Sequence, residues 1–258
     1  MMKPLLALTS RVDARNWKGV AGMARSAGFA GIDWNLDYFR IPAASNARQR
    51  FYDAAAASGL PSGFHGPCQD VELGHSSELV SMAARSYLKM YVDFISHFGG
   101  THMTVHLGSR SIPMAEMDWA SAVEGLRDVS DYARTRGVRI CLENLKQGWM
   151  SEPELVWELA DAADTSITFD VGHARGSSRI REGRDTLESY MRPLLPRIAN
   201  LHVYEVETPE GIHAEPSSLD NIRPALELAL DVGAAWWVIE LDNYDAILRV
   251  KSLIDTGF

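Results

Sequence analysis

Glu143, Asp170, His202 and Glu240 are side chains of the kinds that hold a divalent cation, and they recur at intervals of 27, 32 and 38 residues. His65 and His106 extend the series upstream, 41 residues apart, with His106 37 residues before Glu143. Each interval is close to one strand–helix unit. A parallel barrel adds one strand per unit and brings equivalent strand ends to the same mouth. Three ionised carboxylates gathered there would repel one another and lose hydration, at a cost that a cation removes. Carboxylates mixed with imidazoles suit Mn²⁺, Zn²⁺, Co²⁺ or Mg²⁺. The expected chemistry is that of a divalent metal site.

The elements that must position these residues are legible as alternating patterns. Short apolar runs lie at 5–9, 29–35, 61–66, 101–107, 138–144, 166–171, 198–204 and 236–242. Helical patterns lie over 16–28, 46–58, 77–98, 118–136, 152–163, 184–194, 219–232 and 244–255. In 77–98, Leu79, Val80, Ala83, Tyr87, Met90, Tyr91, Phe94 and Ile95 form a stripe at i, i+3, i+4 spacing. Ser76 or Ser77 can cap that helix and Gly99-Gly100 stops it. Ser151-Glu152-Pro153-Glu154 reads as a capping box with proline in the first turn. Pro224 requires the helix over 219–232 to start late or to kink. Gly137 and Gly233 each close a helical run before a strand.

Strict alternation implies parallel strands joined by helical crossovers. The 258 residues, divided into eight units of about 32 each, fit a single closed (β/α)8 TIM barrel, read as one domain over 1–258. An open doubly wound sheet is the alternative. No Gly-x-Gly-x-x-Gly follows the first run, which removes support for its dinucleotide-binding form.

Parity within the runs decides which side chains face the barrel axis. Outward faces pack on helices and must be apolar. Ile140 and Leu142 take that face of one strand, Ile167, Phe169 and Val171 of the next, Leu201 and Val203 of the third, and Trp237, Ile239 and Leu241 of the last. Glu143, Asp170, His202 and Glu240 therefore point inward near the strand ends where barrel enzymes keep their active sites. His65, His106 and Asp33 take similar inward places. His102 points inward but deeper, as a core histidine, and Cys141 is core. His75 and His97 fall in helix or loop contexts. Cys68 follows His65 near the mouth. Trp34, Trp149 and Trp236 are candidates to stack on a ligand ring, with core packing as the alternative.

Composition bounds the partners. Thirty-four acidic residues against 25 Lys and Arg give a formal net charge of −9. That disfavours nucleic acid, whose affinity rests on cations neutralising phosphates. Two cysteines make no disulfide framework. No apolar run approaches the ~20 residues that span a membrane, and the opening run is too short for a signal segment. A cytoplasmic protein is expected, and a homo-oligomer is compatible with this reading.

The quoted residues carry a family resemblance. Glu143-Asn144-Leu145, Phe169-Asp170-Val171-Gly172-His173, Asn200-Leu201-His202-Val203 and Ile239-Glu240-Leu241 resemble the xylose-isomerase-like TIM barrels, and Gly31-Ile32-Asp33-Trp34 matches where these proteins often carry an acid. That group includes sugar and sugar-phosphate isomerases and epimerases, inosose dehydratases, and AP endonucleases of the endonuclease IV type. The resemblance implies Glu143, Asp170, His202 and Glu240 as metal ligands, with Glu143 and Glu240 also moving protons. It implies that His173 contacts substrate or a metal, and that His65 and His106 are ligands in the endonuclease branch.

Two function classes follow. One is a metal-dependent isomerase or epimerase of a small sugar or sugar phosphate. Removing a proton beside a carbonyl needs a carboxylate base, a group to return the proton, and positive charge to stabilise the enediolate. The alternative is an endonuclease IV-like metal-dependent phosphodiesterase, with a catalytically inactive metal-binding barrel as a third reading. In the endonuclease branch an Asp-x-His pair completes a third metal. Here Gly211-Ile212-His213-Ala214-Glu215 puts the acid after His213, which leaves His213 as an additional metal or substrate contact. The isomerase branch has departures too: Lys146-Gln147-Gly148-Trp149 replaces an early second glutamate, and 203–208 lacks an expected arginine. Arg110, Lys146, Arg175 and Arg179, with Arg181 and Arg184 nearby, are candidates to bind a phosphate or carboxylate. A solvated salt-bridged helix start is the alternative for them.

Overall fold

The computed structural model describes residues 3–37, 45–99, 101–108, 113–234 and 236–258. Eight parallel strands close into a barrel: β1 (Leu5–Thr9), β2 (Gly31–Asn35), β3 (Ser62–His65), β4 (His102–Val105), β5 (Arg139–Glu143), β6 (Ser166–Asp170), β7 (Ile198–Val203) and β10 (Trp236–Ile239). Each pairs with its neighbour in sequence order, and β10 closes the ring against β1 through Leu5↔Trp236 to Leu8↔Ile239. The main crossover helices are α1 (Trp17–Ser26), α2 (Ser45–Ser58), α3 (Glu78–Ile95), α4 (Trp119–Thr135), α5 (Pro153–Ala162), α9 (Arg223–Asp231) and α10 (Tyr244–Gly257). The expected (β/α)8 TIM barrel is the fold observed.

Parity explains the layers. Outward Ile140, Leu142, Ile167, Phe169, Leu201, Val203, Trp237 and Ile239 are buried under helices, against residues such as Leu126, Val129, Val156, Leu159 and Ile247. Burying such side chains contributes roughly 1.5–3 kcal/mol each relative to exposure. Inward positions carry the polar groups, and Cys141 is wholly buried, as expected. Gly137 and Gly233 adopt positive φ (69° and 78°), ending α4 and α9 where a side chain would be strained.

The structure differs from the sequence reading at several helix ends. Pro224 sits in the first turn of α9, so the helix begins four residues later than the pattern at 219 suggests. The Ser151 capping box does not form: Glu152 takes the N-cap position without a side-chain cap, and Ser151 Oγ donates to the Gly148 carbonyl at 2.8 Å. Ser77 is the N-cap of α3 but makes no capping hydrogen bond. Gly100 lies outside the described residues. The helix drawn over 184–194 is only α8 (Leu187–Met191), followed by a 3₁₀ segment through Arg197, and two short unforeseen helices, α6 (Val171–Gly176) and α7 (Ser178–Arg181), precede it. Pro193 and Pro196 cannot donate to a continuing α-helix, which accounts for that ending. An unforeseen two-stranded hairpin, β8 (Val206–Glu207) and β9 (His213–Ala214), projects after β7 and pairs Glu207 with His213.

Candidate functional site

Strand ends β5, β6, β7 and β10 deliver Glu143, Asp170, His202 and Glu240 to one point. One donor atom from each lies within 4.8 Å of the others, and all four residues are buried. His202 Nδ1 sits among the carboxylates, 3.0 Å from Glu143 Oε1, 3.3 Å from Glu240 Oε2 and 3.7 Å from Asp170 Oδ2. Asp170 Oδ2 has no hydrogen-bond partner. An orphaned carboxylate oxygen beside two more carboxylates is costly in a dry site, and a divalent cation among these donors would satisfy it. The O₃N donor set fits Mn²⁺, Zn²⁺, Co²⁺ or Mg²⁺.

Local hydrogen bonds hold this geometry. Asn144 clamps two strand ends: its Nδ2 donates to the Asp170 carbonyl at 2.9 Å, and its Oδ1 accepts from Asp170 N at 2.8 Å. Asp170 Oδ1 accepts from the His173 backbone N–H at 2.6 Å, which starts α6 and leaves Oδ2 toward the site. Gly172 is required next to it, because a Cβ there would overlap the Tyr204 ring.

A second group shares Glu143. His65 and His106 present Nε2 atoms 3.1 Å apart, at 3.4 and 2.8 Å from Glu143 Oε2, and the three form a metal-capable set of their own. His65 Nδ1 donates to the Gly66 carbonyl at 2.8 Å, which turns Nε2 to the site. His173 donates Nδ1–H to the Asn144 carbonyl at 3.0 Å and faces Glu207 Oε2 through Nε2 at 3.2 Å. His213 donates Nδ1–H to the Glu240 carbonyl at 2.7 Å and stacks on Tyr204 with ring centroids 3.9 Å apart.

Charge sets the protonation pattern. Burial pushes the Glu143 carboxyl upward, but His202 and His106 outweigh it and hold it well below the usual range. Burial likewise opposes ionisation of Glu240, and His202, His213 and Arg11 overcome it. His202 is raised well above an ordinary histidine: burial lowers it, and Glu240 and Glu143 more than reverse that. His65 and His173 are each raised to about 9 against the effect of burial, His65 chiefly by Glu143 and His173 chiefly by Asp170 and Glu207.

Glu143 and Glu240 of the cluster line a mouth of about 460 Å³, together with Arg11, Asn35, Asp37, Cys68, Lys146, Gln147, Glu207 and His213, while Asp170 and His202 lie buried behind them. Arg11, Asp37 and Glu207 are additions to the sequence reading. Arg11 donates to Glu240 Oε1 at 3.3 Å and to Asp242 Oδ1 at 2.9 Å. Asp37 accepts from Cys68 Sγ at 3.0 Å and Cys68 N at 2.7 Å, and burial beside that carboxylate pushes the Cys68 thiol far up, so it is not a ready nucleophile. Glu207 is reached by His173 and by Lys146 Nζ at 3.5 Å. Its signal was the Thr208-Pro209-Glu210-Gly211 turn, which folds a hairpin back over the mouth.

Other expected contacts lie elsewhere. Arg175 pairs with Glu205 at 3.0 Å, and Arg179 pairs with Glu152, Glu154 and Asp185 at 3.0, 3.2 and 2.6 Å, so neither lines the mouth. Arg110 lies outside the described residues. Asp33 faces the axis one layer down, 3.8 Å from His102, and Asn35 takes the mouth position on β2. None of the three tryptophans reaches the mouth: Trp34 packs on Phe51, Trp149 on Trp119, and Trp236 on His102.

Comparison with known proteins places these observations. The family description Xylose isomerase-like TIM barrel matches residues 22–246. Uncharacterized protein MJ0008 of Methanocaldococcus jannaschii is 29% identical over 192 residues, 74% of this chain and 78% of that protein. A D-tagatose 3-epimerase-like protein superposes with a TM-score of 0.81 at 16% identity, covering 99% of this chain and 96% of that one. D-allulose 3-epimerase from Methylomonas sp. in complex with D-allulose gives 0.76 at 15% identity, covering 100% and 98%. A Xylose isomerase-like TIM barrel protein from Mycobacterium smegmatis in complex with magnesium gives 0.72 at 17% identity, covering 98% and 97%. At these identities the structural likenesses establish a shared fold.

Proposed function

The chain belongs to the xylose isomerase-like TIM barrel family, and from that premise we propose that it is a divalent-metal-dependent isomerase or epimerase of a small sugar or sugar phosphate. The observation that carries this reading is the four-donor cluster of Glu143, Asp170, His202 and Glu240, of which Glu143 and Glu240 line a cavity of about 460 Å³, within the range of small-molecule sites. The epimerase folds of the structural neighbours support it.

In this reading Glu143, Asp170, His202 and Glu240 hold the ion, and Glu143 and Glu240 move the proton. When bound, the ion supplies positive charge that stabilises enediolate oxygens and acidifies the adjacent C–H. Glu143 and Glu240 are both held ionised, which is the state a base needs. They come from β5 and β10, separated around the ring by β6 and β7, so one can take a proton and the other return it. Arg11 holds one Glu240 oxygen and adds to the larger effect of His202 in keeping that carboxylate anionic. Asn144 and His173 fix Asp170. The β8–β9 hairpin contributes Glu207, Gly211 and His213 to the wall of the mouth.

The decisive measurement is exchange of solvent deuterium into the carbon beside the carbonyl of ketoses and ketose phosphates, with Mn²⁺ or Mg²⁺ present. Glu240→Gln is expected to cut that exchange by about 10²-fold or more. Unchanged exchange in that variant would exclude Glu240 as the proton carrier.

A second reading has one specific observation in its favour: His65, His106 and Glu143 form an additional donor group that shares an oxygen-bearing ligand with the first. Two ions a few ångströms apart would suit phosphodiester hydrolysis. Against it, the described lining of the mouth holds Asp37, Asp70, Glu143, Glu207 and Glu240 with only Arg11 and Lys146 as permanent cations. Metal-dependent incision of abasic-site DNA would favour the hydrolase and overturn the isomerase proposal.

A further inference from the structure

We propose that the face of the barrel opposite the mouth carries a separate oxyanion site, for phosphate or a phosphomonoester, with Arg139 as its principal anchor. A recess of about 380 Å³ opens there between the starts of β4, β5 and β6. Arg134, Arg139 and Arg197 contribute three guanidiniums to its lining and Asp164 one carboxylate, with the hydroxyls of Ser130, Thr165 and Ser166 alongside. A concentration of this kind stands out in a chain of net charge −9. Arg139 opens β5 and Glu143 ends it, so about 13 Å of strand separates this site from the proposed metal ligands.

The charges are not equivalent. Arg134 is shared with Asp131 at 2.7 Å and Asp164 at 2.8 Å. Arg197 reaches Asp161 at 2.5 Å and Asp164 at 3.6 Å, and its Nη1 donates to the Thr165 carbonyl at 3.1 Å. Those contacts hold two guanidiniums in place along the rim. Arg139 is exposed and makes no ion pair or side-chain hydrogen bond with the described residues, so its full donor fork is available. A second observation points the same way. Thr165 is 3% exposed, lines the recess, and its hydroxyl has no partner; Arg197 Nε is also buried without one. Ser130, by contrast, spends its hydroxyl on the Asp164 carbonyl. A planar fork, an unspent hydroxyl and a fixed guanidinium nitrogen around one recess are the donors that an oxyanion with three accepting oxygens uses. Gly137, at the lip, has open space where a Cβ would lie, which leaves the entry clear.

The test is calorimetric titration of the metal-loaded protein with inorganic phosphate and, separately, with glycerol 3-phosphate, comparing Arg139→Gln, Thr165→Val and Lys146→Gln. Arg139→Gln alters an exposed side chain and is expected to leave the melting temperature unchanged while weakening binding about tenfold; Thr165→Val weakens it less. Lys146→Gln, at the mouth, leaves this binding unchanged. Tighter binding of glycerol 3-phosphate than of phosphate identifies a phosphomonoester as the occupant, and the reverse order identifies free phosphate. No binding of either probe, or binding that Lys146→Gln abolishes and Arg139→Gln does not, overturns the proposal. Neither result bears on the sugar chemistry assigned to the mouth, which deuterium exchange tests independently.

Discussion

At the scale of residues, the site is governed by His202. Its Nδ1 lies within 3.7 Å of oxygens from three carboxylates, and their charge raises its pKa well above 6.5. In the metal-free protein it is therefore protonated near neutral pH, and a bound cation must displace that proton. The direction follows from the sign: a raised pKa stabilises the charged form below it, so metal affinity rises with pH until His202 loses its proton unaided. Calorimetry with Mn²⁺ in two buffers of different ionisation enthalpy should show proton release, with affinity climbing about tenfold per pH unit for each proton displaced. A pH-independent affinity would show that His202 is not a ligand. His202→Ala should weaken metal binding at least tenfold while leaving the barrel folded. The quartet was readable in the sequence because alternation in a strand has a period of two, so each residue's face follows from its apolar neighbours. Arg11 and Asp37 were not, because they lie beyond strand ends, and Glu207 was not, because its strand is two residues long, too short for periodicity to report direction.

At the scale of elements, the crowded segment from β6 through the β8–β9 hairpin is where local and tertiary constraints meet. Gly172 admits the Tyr204 ring, Tyr204 stacks on His213, and His213 binds the Glu240 carbonyl. The ring cannot retreat from a new methyl without disturbing that stack. Gly172→Ala should therefore cost about 1–3 kcal/mol by overpacking, read as a lower urea midpoint at unchanged m-value, and should also weaken metal binding through Asp170. Wild-type stability in that variant would mean that the ring moves freely. The same segment explains why Arg175 and Arg179 read as anion ligands from their position after β6. Proximity in sequence placed them correctly near the site side, but the short helices α6–α8 turned Arg179 onto Glu152, Glu154 and Asp185.

At the scale of the whole molecule, an ion held by the proposed ligands Glu143, Asp170, His202 and Glu240 is expected to raise the stability of the barrel. Binding of an ion only by the folded state, at a free concentration of 100 times Kd, adds about 2.7 kcal/mol, which in a chain of this size is roughly 5–10 °C in Tm. Thermal unfolding with Mn²⁺ or Mg²⁺ against EDTA measures this; equal Tm values would argue against an ion at the cluster. Among the described residues no helix is long and apolar enough to cross a membrane. The sequence by itself determined the barrel and the inward face of the quartet, because alternation of strand and helix and the period of each are local properties of the chain. Only the tertiary structure decided which inward residues reach the mouth: Asp33 and Trp236 share the parity of the site residues but sit a layer lower, since depth depends on the stagger of neighbouring strands. It also decided that Glu207 joins the site and that Arg179 does not, because ion pairing is settled by what folding brings within reach, across residues that the linear order keeps apart.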